Sequence, residues 1–71
     1  MRDLTDPEKT HIEGLIDACG LAEVLGAIFE ICHEKAAHIR ESYIDETLAN
    51  LWSDAGERIG RTSNFAATRK L

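Results

Sequence analysis

Between Leu21 and Tyr43, apolar residues fall at Leu21, Val24, Leu25, Ile28, Ile31, Cys32, Ala36, Ile39 and Tyr43. Gaps of three and four are the repeat of one face of an α-helix. Glu23, Glu30, Glu34 and Glu41 fall within about 40° of one another on the opposite side. A long amphipathic helix is the only regular structure that separates these two sets. Its apolar arc, widened by Phe29, covers about 160°, more than the roughly 100° that one packed neighbour needs. Whatever else the chain forms has to cover that arc.

With 71 residues, there is little else to cover it. A chain this short buries only about 60% of the surface it exposes when unfolded. It usually needs a disulfide, a metal, very regular helix packing or a second copy. Cys19 and Cys32 are the two cysteines, and the first residues carry no apolar leader region. A cytoplasmic chain with reduced thiols is therefore expected, with Cys32 acting as a small hydrophobe inside the stripe. No apolar run approaches the roughly 18 residues of a membrane span.

Upstream, Asp6-Pro7-Glu8 reads as a helix start. Asp6 is placed to accept from the first turn, Pro7 suits a first helical position, and Glu8 favours the positive dipole end. Ile12, Leu15, Ile16 and Cys19 then share a face before Gly20, which offers a stop. Beyond Tyr43, the apolar residues Ile44, Leu48, Leu51, Trp52, Ala55 and Ile59 are again helically spaced. On a continued wheel they centre opposite the first stripe. A reversal near residues 42–46 lets both stripes share one core, with Ser42 or Asp45 as cap. One continuous helix with two opposed apolar faces is the alternative. The expected helices are 7–18, 21–41 and 46–60 in a single domain over 1–60, with Gly60 ending the third. Residues 61–71 are expected to be a flexible tail.

That tail holds three basic residues and no acidic one, whereas residues 1–60 hold 13 acidic and 5 basic. An acidic body repels phosphate backbones and anionic membranes, so neither nucleic acid nor a membrane is an expected partner. Arg61, Arg69 and Lys70 offer at most a contact for an acidic partner.

The residues best suited to chemistry are Glu30, His33, Glu34 and His38. Glu30-x-x-His33 has the spacing found in di-iron helical bundles, and Glu34 with His38 at i,i+4 can clasp a metal. In those bundles the ligands point into the core, whereas Glu30, Glu34 and His38 lie on the side away from the stripe. A small metal-binding protein is therefore the alternative reading. Neither cysteine has a base or a positive neighbour in the sequence pattern to activate it. There is no Gly-rich phosphate loop and no nucleophile elbow, so a non-enzymatic chain without cofactor is expected. Lys35, on the stripe's flank, either lays its stem on apolar surface or meets a carboxylate across an interface.

The run Ile31-Cys32-His33-Glu34-Lys35-Ala36-Ala37-His38-Ile39-Arg40 carries a resemblance, joined by Leu21-Ala22-Glu23-Val24-Leu25, Asp45, Leu48-Ala49 and Trp52. Over about residues 12–56 the chain resembles a group of small uncharacterised bacterial α-helical proteins. The resemblance implies a helical fold and carries over no site residues. An aromatic often stands in that group where His33 stands here, which weakens a metal role for His33. The expected architecture is all-α: a short helix, a long amphipathic helix and a third folded back as a hairpin, assembled into a dimeric helical bundle. Leu21, Leu25, Ile28, Phe29, Cys32, Ile39, Tyr43, Leu48, Leu51 and Trp52 are expected to form its core and interface. The expected partner is a second copy or another protein, recognised through helical surfaces.

Overall fold

The computed structural model describes residues 1–71. It contains three helices and no strand: α1 (Asp6–Cys19), α2 (Leu21–Ser42) and α3 (Glu46–Thr68).

Thr5, not Asp6, caps α1. The Thr5 hydroxyl accepts from the Glu8 N–H at 3.3 Å, and the Glu8 carboxylate accepts from the Thr5 N–H at 2.9 Å. This reciprocal box satisfies two donors, where an Asp6 cap would have satisfied one. Pro7 stays within the first turn, where a missing N–H costs nothing. The residues before the helix are tied to it as well, because Arg2 grips Glu8 through two contacts of 2.7 Å.

Gly20 alone joins α1 to α2. It takes a φ of 93°, which a residue with a side chain adopts only at a cost. At the other end of α2 the chain reverses through Tyr43, Ile44 and Asp45. The Asp45 carboxylate caps α3 by accepting from the Leu48 N–H at 3.0 Å. Arg40 closes the reversal from the side, reaching Glu46 at 3.3 Å and the Asn50 amide oxygen at 3.0 Å. The expected change of direction near residues 42–46 is thus where the opposed apolar stripes required it.

The expected end of the third helix at Gly60 is overturned. α3 runs on to Thr68, and the residues expected to form a flexible tail are helical and docked. The Ser63 hydroxyl donates to the Ala22 carbonyl at 2.9 Å, and Ala66 is completely buried. The chain end folds onto the α1–α2 junction, where the Ala22 N–H donates to the Leu71 carbonyl at 3.3 Å. Gly60 is a packing residue rather than a stop. A Cβ there would stand 2.9 Å from the Phe29 ring, so a side chain at this position would push that ring aside. α3 therefore matches α2 in length, at 23 residues against 22.

The seam between α2 and α3 is made of small residues. Ala49, Ser53, Gly56, Gly60, Ser63 and Ala67 recur at alternating gaps of four and three on α3, the repeat of a helix–helix seam. A Cβ on Gly56 would lie 3.1 Å from the Cys32 Cβ, so the backbones approach closely there. The buried residues are Cys32, Ala36, Ile39, Ala49, Gly56 and Ala66. Of the expected core set, Cys32 and Ile39 are buried, and Leu21, Leu25, Phe29 and Trp52 are half-buried. Ile28, Tyr43, Leu48 and Leu51 are exposed. Close backbones leave no room in the seam for large side chains, so these are pushed out of it.

The resulting body is a slab, 38 × 30 × 14 Å. Its thickness is close to the roughly 10–12 Å diameter of one helix. The chain builds a single layer.

Candidate interaction surface

The two sides of that layer differ in chemistry, and the helical phase explains the difference. Looking along α2, Ala36 marks the direction of α3. Ile28 and Lys35 turn about 80–100° to one side of it, and His33 and Glu30 about 60–120° to the other. On α3, Gly56 marks the direction of α2. Leu48 and Ala55 turn about 80–100° to one side, while Asn50 and Glu57 turn by similar angles to the other. Because the helices run antiparallel, the apolar sides of both lie on the same side of the slab.

Two features make up the apolar side. The first is a groove of about 460 Å³ between α1 and α2, lined by Ile12, Leu15 and Cys19 from one helix and Val24, Ile28 and Ile31 from the other. Glu23 is its single charged lining residue. The second is a shallow apolar hollow on α3, lined by Leu48, Leu51, Trp52 and Ala55. Lys35 stands between the two, its ammonium 6.0 Å from the centre of the Trp52 ring. That is close to the outer limit of a cation–π contact. Ile31 is 49% exposed and Leu51 is 61% exposed.

α1 contributes no buried residue and touches only α2. An isolated helix of about 12–15 residues is marginal in water, so its own contacts give α1 little support.

The residues expected to be capable of chemistry are kept apart: His33 and Glu30 turn to the polar side, whereas Glu34 and His38 sit on the edge of α2 that faces away from α3. No three His, Cys, Asp or Glu side chains gather closely enough to hold a metal ion. His33 turns toward α3, its ring edge-on to Phe29 at 4.6 Å between centroids. Its Nε2 is 3.3 Å from a Glu57 oxygen. The atoms are close but poorly aligned, so that nitrogen is buried without a hydrogen bond. His38 instead meets the Tyr43 ring edge-on at 5.7 Å. Glu34 and His38 share a shallow hollow with Ile31 and Lys35, while Glu30 is exposed. Cys19 and Cys32 are both free thiols.

The strongest electrostatic feature lies at the start of α1. Arg2 beside Glu8, helped by the Thr5 N–H and hydroxyl, holds the Glu8 carboxyl down at about 2. This is a structural clasp rather than a reactive group.

Several of these residues were legible only in part. The Thr5-x-x-Glu8 spacing is a helix-start signature and was available in the sequence. So was the run of small residues on α3, although nothing local distinguishes such a run from weak helix formers. The role of Arg40 in closing the hairpin depends on three residues 6 to 13 positions away and has no sequence signal.

No family model matches the chain, and no curated protein or solved structure matches it. No helix is long and apolar enough to cross a membrane.

Proposed function

We propose that this chain is a non-enzymatic self-associating module, a homodimer whose second copy covers the apolar side of the slab. The observation that carries this reading is a single helical layer with one apolar side. Stable domains are built from at least two packed layers around one core, and this chain supplies one.

Area and shape support it quantitatively. The accessible surface is 5695 Å², against about 4,400 Å² for a compact monomer of this mass. The radius of gyration is 13.9 Å, against about 11 Å for a compact chain of this length. The excess surface, about 1,300 Å², exceeds the roughly 800 Å² per partner of a standard interface. Stacking two slabs through their apolar sides would place the exposed apolar residues of α3, the groove and α1 in a shared core. The acidic side then faces outward, where its net negative charge opposes further layering.

Light scattering on the full chain at micromolar concentration tests the reading. The expected mass is twice 7.9 kDa. Replacing the exposed Leu51 with Asp should reduce the mass to that of one chain with most helix retained. A well-folded monomer of the unaltered chain would overturn the proposal.

A further inference from the structure

We propose that His33 and Glu57 form a proton-controlled latch across the α2–α3 seam, which tightens the hairpin when His33 gains a proton and loosens it when the proton leaves. The inference concerns the single chain and does not depend on the second copy proposed above.

The His33 ring is boxed in. Phe29, one turn earlier on α2, stands edge-on to it at 4.6 Å between centroids. Gly56 of α3 lies against its far end, where a Cβ would be 3.1 Å from Nε2. Nε2 itself is buried and has no hydrogen-bond partner, although a Glu57 carboxylate oxygen is 3.3 Å away. An unpaired buried polar atom costs stability, and the Glu57 carboxylate is the group placed to relieve it.

Whether it does so depends on the proton. A neutral imidazole carries one N–H, and with that N–H on Nδ1 the Nε2 lone pair faces the carboxylate, acceptor against acceptor. An imidazolium has an N–H on both nitrogens, so Nε2 then presents a donor and a positive charge to Glu57. A small turn of the exposed Glu57 side chain aligns the pair into a charge-assisted hydrogen bond. Histidine changes charge between about pH 5 and 8. The latch therefore adds stability at the acid end of that range and loses it as pH rises.

The other charges around the ring do not cancel this. On α2, Glu30 lies one turn earlier on the same side and favours the proton. Arg40, two turns later, is engaged by Glu46, Asn50 and Ser53, and Lys35 lies on the other side, over Trp52. On α3, Arg61 stands one turn beyond Glu57 and opposes the proton, but its Nε is turned back to the Glu57 carbonyl at 3.5 Å. α1 does not touch α3, so it brings no charge into the seam.

A double-mutant cycle at two pH values tests the latch. His33→Gln, Glu57→Gln, the double variant and the unaltered chain are unfolded in urea at about pH 8.5 and about pH 5.5, on either side of the histidine range's centre. Protein concentration is the same throughout, and Trp52 fluorescence is the readout. Both pH values lie above the acid window of Glu8. The coupling between the two residues should change the unfolding constant about two- to fivefold at the lower pH and vanish at the higher one. Equal coupling at both would mean a fixed hydrogen bond from a neutral ring and would overturn the latch. So would an absence of coupling at the lower pH. If the His33 variants fail to fold, Glu57→Gln alone decides, because its side chain is exposed. Its loss of stability should be about two- to fivefold larger in the unfolding constant at the lower pH, and an equal loss at both pH values would overturn the proposal.

Discussion

Two glycines on the hairpin should respond to alanine with opposite signs. Replacing a helical glycine with alanine stabilises the helix by about 1 kcal/mol, because the unfolded chain loses freedom and the folded one does not. At Gly26 the new methyl meets only the Ser63 hydroxyl, at 3.8 Å. This is ordinary contact, so Gly26→Ala should gain most of that amount. At Gly56 the same methyl would stand 3.1 Å from the Cys32 Cβ and 3.1 Å from the His33 Nε2. A Cβ is fixed to its backbone, so relief there requires α2 and α3 to move apart along a seam that holds nearly all the buried residues. Overpacking of this kind costs about 1–3 kcal/mol, which offsets or exceeds the propensity gain. Gly56→Ala should therefore be about 1–3 kcal/mol less stable than Gly26→Ala. Urea unfolding followed by the fluorescence of Trp52, the single tryptophan, measures both variants. Protein concentration must be held equal, because the proposed self-association would add to apparent stability. Equal stabilisation by the two substitutions would refute a close-packed seam at Gly56.

Glu8 makes α1 sensitive to acid. Its folded-state carboxyl sits at about 2, below the ordinary 4.5. Its contribution is therefore complete above pH 4.5 and is lost as pH falls from there through about 2. The amide signals of the first turn of α1 should show fraying across that window. Glu8→Gln should remove that pH dependence, and a Glu8 carboxyl titrating in the ordinary range would contradict the clasp. The last prediction concerns residues 61–68. Their amides should exchange about as slowly as those of residues 50–59, because both belong to one helix packed on α2; exchange at the rate of a free chain would refute the docked C-terminal half of α3.

What the sequence determined by itself is local. The three- and four-residue gaps set the helical faces, Gly20 and its neighbours separated α1 from α2, and Thr5-x-x-Glu8 contained the cap that the structure uses. The reversal at Tyr43–Asp45 was also legible, although no Gly or Pro marks it. It follows from two apolar stripes that a straight helix would point in opposite directions. These features depend on residues within one or two turns of each other, so periodicity and capping chemistry determine them.

Only the tertiary structure decided what the glycines and the large apolar residues do. Gly60 has the local chemistry of a helix stop, yet the helix runs through it, with the Phe29 ring lying against it and Ser63 and Ala66 docked beyond. The stripe on α2 reads as core, yet the seam beside it admits mainly residues the size of Ala, Gly, Ser and Cys. Close backbones stabilise the hairpin by excluding bulk, and the excluded Ile28, Ile31, Leu48 and Leu51 collect on one side of the layer. Separation in the chain hides this, because the partners that set the spacing, Phe29 with Gly60 and Cys32 with Gly56, lie 31 and 24 residues apart.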